Sequence, residues 1–96
     1  MITLREWQQQ GQLESINGQQ IFTRQGGDKD TPALLLIHGY PSASWDWEGM
    51  WDKLTEHYYV ITLDMLGFGL SDKPKNVRYL ISEQADIFET VLQRLG

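Results

Sequence analysis

The sequence predicts an α/β fold in which a β-hairpin is followed by a strand, a helix, a second strand and a second helix. Three observations lead to this prediction. Ala33–Ile37 is a continuous apolar run, typical of a strand with both faces covered. Trp45–Leu54 has apolar residues at helical spacing, and Tyr58–Leu63 is a second strand-like run. Because a helix separates them, the two strands are expected to lie parallel.

The N-terminal part is predicted to form the hairpin, at residues 13–25. Leu13–Ile16 and Gln20–Arg24 flank Asn17-Gly18, a dipeptide typical of two-residue hairpin turns. Residues 1–12 form a lead-in, in which Leu4–Gln10 is open to two interpretations, a short helix or an irregular segment. Residues 33–96 hold the strand–helix–strand–helix part, so the chain is predicted to be a single partial α/β domain.

The two helices are predicted from their caps and their apolar spacing. In the first, Ser44 is a plausible N-cap. Its apolar positions are Trp47, Met50, Trp51 and Leu54. The second, Ser82–Leu95, has Ser82 as the expected N-cap and Gly96 as the expected C-terminal cap. Its buried face is predicted to consist of Ala85, Phe88, Leu92 and Leu95.

Composition and charge exclude several classes of protein. The net charge of −5 argues against nucleic-acid binding, which needs a basic face. With no cysteine, disulfides and thiolate metal sites are excluded, and no other metal site is indicated. The longest apolar run, Ala33–Ile37, is too short to cross a membrane. The N-terminus lacks the pattern of a secretory signal, so a cytoplasmic location is expected.

The first candidate site is the motif His38-Gly39-Tyr40-Pro41, called the first motif below, which directly follows a predicted strand. Gly39 permits a sharp turn, and Pro41 restricts the backbone. A turn pinned in this way can direct a backbone N–H into a pocket, where it would stabilise an oxyanion. An ordinary strand-ending turn explains the same residues equally well. His38 is predicted to bond to neighbouring backbone rather than to act as a base.

Three tryptophans follow the first motif within one predicted helix. Trp45, Trp47 and Trp51 together resemble a ligand platform. Helical spacing instead predicts that two of them belong to the core, which leaves Trp45 as the one that can face a pocket.

The second candidate site is the segment Leu63–Pro74, called the second motif below. Asp64 ends a strand, where its carboxylate can accept backbone N–H groups of the following turn. Gly67 and Gly69 permit positive φ but do not form a dinucleotide fingerprint, because position 72 is Asp. Ser71 lacks the glycine-flanked elbow of a nucleophile. A structural turn is therefore the favoured interpretation.

Together, the two motifs and the helix between them resemble the N-terminal part of an α/β-hydrolase. The similarity runs from about Ile21 to Gly96. It is greatest to the branch of epoxide hydrolases, haloalkane dehalogenases and mesoderm-specific-transcript-like hydrolases. The last group is similar through Gly67–Pro74 and Glu83-Gln84-Ala85.

The resemblance implies roles for particular residues. The backbone N–H of Tyr40 would be an oxyanion-hole donor, its ring would line the substrate pocket, and the peptide before Pro41 is often cis in the family. Asp64 and the glycines after it would form a supporting loop. Many haloalkane dehalogenases have Asn where Tyr40 stands and hold the halide with its amide, so dehalogenation is less expected here.

The resemblance also implies that this chain holds only part of a catalytic apparatus. The family's nucleophile, acid and histidine follow later in the sequence, so the chain alone is expected to be inactive. The longer parent is expected to hydrolyse a small, largely apolar ester or epoxide through a covalent intermediate, without metal or organic cofactor. Ala33–Ile37 would lack a neighbour at one edge. The partners expected there are the rest of the hydrolase or a second copy of the chain. The alternatives are a non-catalytic binding or assembly module, or a piece with no role of its own.

Overall fold

The structure, a computed structural model, describes residues 2–39, 42–75 and 81–95. Its helices are α1 (Leu4–Gln9), a 3-10 helix (Ser44–Trp47), α2 (Glu48–Thr55) and α3 (Ile81–Leu95). Its strands are β1 (Gln12–Ile16), β2 (Gln19–Gly26), β3 (Ala33–Ile37) and β4 (Tyr59–Leu63).

The four strands form one mixed sheet in the order β1-β2-β4-β3. Strands β1 and β2 are antiparallel, and β2 is also antiparallel to β4. Strands β3 and β4 are parallel, with Ile37 opposite Leu63, as the intervening helix predicts. Every residue of β4 is buried, because this strand has a neighbour on each side and helices over both faces. The α/β class predicted from the sequence is confirmed.

The first two strands join through the two-residue turn that the sequence predicts. Asn17 and Gly18 have φ of 53° and 80°, so both central residues are left-handed. This geometry matches the twist of a hairpin, and Asn-Gly is the pair that adopts it most readily.

The segment before the hairpin is a short helix, which resolves the alternative left open by the sequence. Helix α1 begins with a capping box in which the Thr3 hydroxyl accepts the Glu6 amide and the Glu6 carboxylate accepts the Thr3 amide. These reciprocal bonds satisfy two backbone donors that a helix start otherwise leaves unpaired.

Two apolar clusters lie on opposite faces of the sheet. One joins the sheet to α3 and contains Ile16, Ile21, Tyr59, Ile61, Leu63, Leu66, Ile87 and Val91. The other joins it to α1 and α2 and contains Trp7, Phe22, Leu36, Trp51 and Val60. Alternate residues of β4 supply the two clusters, since successive side chains of a strand point to opposite faces.

Three details of the helix predictions are wrong. Ser44 is not an N-cap: it is the first residue of the 3-10 helix and is fully buried, and Ala43 precedes it without a side-chain cap bond. Helix α3 begins at Ile81, so Ser82 lies inside it. Met50 is 48% exposed, because the inner side of α2 is occupied by Trp51. Gly96 lies outside the described residues.

The buried face of α3 is also rotated from the predicted one. Gln84, Ile87 and Val91 are buried, whereas Ala85 is exposed and Leu92 is 38% exposed. Phe88 and Leu95 are half-buried against the cluster, as part of the predicted face. The predicted face holds apolar residues only and does not include Gln84, yet the Gln84 amide finds buried partners, which makes its burial favourable.

Candidate active site

The first and second motifs begin side by side at one edge of the sheet. Ile37 of β3 pairs with Leu63 of the parallel strand β4, so His38 and Asp64 leave the sheet at neighbouring positions. The carboxyl ends of parallel strands are where α/β proteins place their sites. The pairing of the strands therefore brings together two motifs that lie 26 residues apart in the sequence.

His38 links the two motifs through Nε2 and bonds within its own motif through Nδ1. Its side chain is buried, and Nε2 accepts the Met65 amide at 2.9 Å. Because Nε2 accepts, the ring proton belongs on Nδ1, which lies 2.8 Å from the Gly39 carbonyl oxygen and donates to it. The imidazole and the Phe68 ring pack edge to face, with their ring centroids 5.6 Å apart. With both ring nitrogens engaged, His38 is arranged to hold backbone groups and not to transfer a proton.

Asp64 holds two backbone amides with its two carboxylate oxygens. Oδ1 accepts the Ser44 amide at 2.7 Å, and Oδ2 accepts the Leu70 amide at 2.8 Å. The residue is 2% exposed, so these bonds compensate for the lost hydration of the carboxylate. The Leu70 bond is of the kind that the sequence predicts for a carboxylate at this strand end.

Gly69 leaves the room that this carboxylate needs. Its φ is +53°, and a Cβ at this position would lie 2.3 Å from Oδ2 of Asp64. A side chain at position 69 is therefore excluded on two grounds, backbone strain and direct overlap. Gly67 also has a positive φ of 91°, and its amide donates to the Asp72 carbonyl oxygen at 2.8 Å.

Ser71 and Asp72 attach the second motif to strand β2. The Ser71 hydroxyl donates to the Asp64 carbonyl oxygen at 2.5 Å and accepts the Phe22 amide at 2.9 Å. The Asp72 carboxylate accepts the Gln20 amide at 2.8 Å. The Ser71 side chain is buried and its hydroxyl is occupied in both directions, so its arrangement is that of a structural residue and not of a nucleophile.

The chain around the first motif is anchored at both of its ends. On one side, His38 bonds to Met65, while the Gly39 carbonyl accepts the Ser42 amide and hydroxyl, each at 2.9 Å. On the other side, Ser44 bonds to Asp64. Tyr40 and Pro41, on which the oxyanion prediction falls, lie outside the described residues. The structure describes the two bonds on either side of them, from His38 to Met65 and from Ser44 to Asp64.

The three tryptophans after the first motif separate as the helical spacing predicts. Trp51 is buried and Trp47 packs against the same cluster, whereas Trp45 is 38% exposed. Trp45 is therefore the accessible ring of the three, at the start of the 3-10 helix that follows the first motif.

Two further supporting residues were missed by sequence reasoning. The Gln84 amide forms a reciprocal pair with the Leu66 backbone, accepting its N–H at 3.1 Å and donating to its carbonyl at 2.9 Å. Trp7 donates its indole N–H to the Ser44 hydroxyl at 3.2 Å. A polar residue amid the apolar positions of α3 was a signal for Gln84, but no local pattern connects Trp7 to a residue 37 positions later.

Metal and membrane sites receive no support from the described parts of the chain. Within residues 2–39, 42–75 and 81–95, no three His, Asp or Glu side chains are grouped so that they could hold a metal ion. None of the described helices is both long and apolar enough to cross a membrane.

Comparison with known proteins identifies the family. Residues 32–96 match the alpha/beta hydrolase fold family. LipZ of Mycobacterium tuberculosis is 46% identical over 90 residues, which cover 94% of this chain and 31% of LipZ. The mesoderm-specific transcript protein of Mus musculus is 42% identical over 96 residues, which cover 97% of this chain and 29% of that protein.

A solved structure shows the same arrangement of elements. The crystal structure of a membrane phospholipase A, described as a bacterial virulence factor, superposes with a TM-score of 0.82 at 32% identity. The match covers 90% of this chain and 28% of the phospholipase chain. This chain thus spans about a third of the length of the relatives it matches. By sequence and by fold, it belongs to the α/β-hydrolase family.

Proposed function

We propose that these 96 residues form the N-terminal part of the catalytic domain of a hydrolase that cleaves a small, largely apolar ester or epoxide. Family membership supports a hydrolase, the likeness to a phospholipase structure supports an ester, and the likeness to an epoxide hydrolase of Caenorhabditis elegans, 37% identical over 73 residues, supports an epoxide. The nucleophile, its acid and its histidine lie in residues outside this chain, and the reaction proceeds through a covalent intermediate. It uses no metal or organic cofactor.

In this proposal the backbone N–H of Tyr40 is one donor of the oxyanion hole. The observation that carries it is the double anchoring of the first motif, by His38 on Met65 and by Ser44 on Asp64. Oxyanion donors stabilise a transition state because they are fixed before charge develops, and anchors on both sides of a turn provide that rigidity. The Tyr40 ring and the accessible Trp45 ring line the substrate pocket.

The test compares the full-length protein, meaning the longer protein that carries this chain, with the 96-residue chain alone. Each is assayed with a p-nitrophenyl ester of a short fatty acid and with an aryl epoxide. We expect turnover of at least one substrate by the full-length protein and none by the chain alone. If the full-length protein turns over neither, the proposal fails. Activity of the chain alone would contradict the placement of the nucleophile.

A non-catalytic binding or assembly module is the second candidate, favoured by the outer edge of β3. In the described part of the chain, no strand lies beside this edge, and Ile37 at its end is 41% exposed. Unpaired apolar strand edges recruit other strands. Such a module would bind the rest of the hydrolase, or a second copy, without turnover.

A cytoplasmic location remains a prediction from the sequence alone.

A further inference from the structure

We propose that Trp7, on the N-terminal helix α1, is a positioning residue: it holds Ser44, through which the chain after the first motif is bonded to Asp64. This inference rests on the proposed function, because it concerns the turn that carries the Tyr40 amide. Trp7 lies outside residues 32–96, the part that matches the family, and before the hairpin. Its role follows from the contacts that it makes.

The connection runs through Ser44, which is held from two directions. The Trp7 indole N–H donates to the Ser44 hydroxyl at 3.2 Å, and the Ser44 amide donates to Oδ1 of Asp64 at 2.7 Å. Trp7 and Ser44 are fully buried and Asp64 is 2% exposed. Water therefore does not replace a lost partner easily, and each bond is worth more than it would be at the surface.

The Trp7 ring is itself fixed by contacts that do not involve its N–H. Its ring meets Trp51 edge to face, with centroids 5.3 Å apart. The Arg24 guanidinium carbon lies 4.4 Å from the Trp7 ring centre and 4.2 Å from that of Trp51. The Ile2 amide donates to the Glu48 carboxylate at 2.8 Å, which ties the start of α1 to α2. The indole N–H is thus presented to Ser44 from a rigid support.

The substitution Trp7→Phe separates the two contributions of the Trp7 side chain, which are the packing of its ring and the hydrogen bond of its N–H. It keeps an aromatic ring against Trp51 and Arg24 but has no N–H to donate. If the ring only fills the core, the loss of the N–H matters little to catalysis. If it positions Ser44, this residue loses one of the two bonds that hold it, and the rate of the chemical step falls.

Trp47 supplies the matched control within the same cluster. Its indole nitrogen is buried and has no hydrogen-bond partner among the described residues. Trp47→Phe therefore makes the same chemical change three residues from Ser44 without breaking a bond. Comparing Trp7→Phe with Trp47→Phe removes the general cost of replacing an indole ring by a benzene ring.

The experiment measures steady-state kinetics of the full-length protein on a p-nitrophenyl ester. For Trp7→Phe we expect kcat to fall about fivefold, the effect of losing ~1 kcal/mol of transition-state stabilisation, with KM nearly unchanged. Trp47→Phe should retain the parental kcat. Ser44→Ala should reproduce the defect, and the double variant with Trp7→Phe should be no slower than Ser44→Ala alone, because both remove one interaction.

Hydrogen–deuterium exchange of residues 39–44 gives a second readout that needs no activity. Exchange of the Ser44 amide should be faster in Trp7→Phe and in Ser44→Ala than in Trp47→Phe. Equal kcat and equal exchange in the Trp7 and Trp47 variants would overturn the inference. A full-length protein without hydrolase activity would defeat the proposed function, while the exchange data would still decide whether Trp7 restrains Ser44. If Trp7→Phe fails to fold, Ser44→Ala makes the same test.

Discussion

The Asp64 carboxylate lies 2.7 Å from the backbone nitrogen of Ser44, a residue 20 positions earlier in the chain. This bond joins the end of β4 to the start of the 3-10 helix, and so fixes one side of the first motif. The same carboxylate holds Leu70 with its other oxygen. One buried acid therefore bonds both to the chain that follows the first motif and to the second motif.

Replacing this acid by its amide should destabilise the fold. Asp64→Asn keeps the shape but turns an NH₂ group toward one of the two amide donors, so one N–H is left unpaired. We expect the free energy of unfolding of the full-length protein to fall by about 2–3 kcal/mol, the range for a charge-assisted buried bond. Urea unfolding measures it. Asp30→Asn, in an exposed loop, is the control and should change little.

Adding one methyl group at position 69 should be more damaging than adding it at position 18. Both glycines have positive φ, but a Cβ at Gly69 would overlap Asp64, whereas at Gly18 it would meet nothing within 4 Å. Gly18→Ala should cost about 1–2 kcal/mol from backbone strain alone. Gly69→Ala should cost distinctly more and lower the melting temperature further. Equal melting temperatures would show that the Asp64 carboxylate is not confined as described.

The 96-residue chain should associate through the outer edge of β3. Ile37→Lys places a charge at this edge, which natural sheets use to prevent strand addition. We expect the parental chain to elute from size-exclusion columns as a species larger than a monomer, and the Ile37→Lys chain to shift toward the monomer. Leu13→Lys, on the strand at the other end of the sheet, is the matched control. A monomeric parental chain with cooperative melting would argue against the edge as an association site.

The hydroxyl of Tyr59 should make stability depend on pH in the alkaline range. Its oxygen lies 2.6 Å from Oε1 of Gln25 and 2.8 Å from the Leu95 carbonyl oxygen, two acceptors that share its single proton, and burial raises its pKa above the ordinary value of 10.0. The unfolded chain therefore loses this proton before the folded one. The contribution to stability is complete below pH 10 and declines as the pH rises from there toward the folded pKa.

Tyr59→Phe removes that dependence. The variant should be less stable near neutral pH, by about 1 kcal/mol for the lost hydrogen bonds, but should lose less stability than the parent between pH 9 and pH 11. Urea unfolding of the full-length protein across this range measures both effects. Tyr58→Phe, at the exposed neighbouring tyrosine, is the control for removing a phenol hydroxyl. Parallel slopes for the parent and Tyr59→Phe would refute the assignment.

Local pattern was sufficient for the elements and for the pairing of β3 with β4. A helix between two strands directs them to run parallel. The prediction that both faces of Ala33–Ile37 are covered is wrong: only Leu36 is buried, and Ile37 is 41% exposed. The Asn17-Gly18 turn is equally local, because its φ values depend on the two residues themselves. The elements and the turn follow from forces that act within a few positions of the chain, and the parallel pairing follows from the order of the elements.

Ser44 shows where local pattern fails. A serine before a helical stretch is typical of an N-cap, yet this one is buried between Trp7 and Asp64 and uses its hydroxyl to accept an indole N–H. The competing partners come from 37 residues before it and 20 residues after it. Gln84 is a second example. It is buried on α3 although the predicted face does not include it, because its partner, the Leu66 backbone, lies 18 residues earlier.

The sequence by itself therefore determined the fold class, the order of the elements and the position of both motifs at strand ends, since these depend on periodicity and on turn chemistry. Only the tertiary structure decided which buried polar groups meet, and so what holds the first motif in place. The physical reason is that a buried donor or acceptor must find a partner wherever the fold brings one within reach, and that distance in space has no counterpart in local sequence.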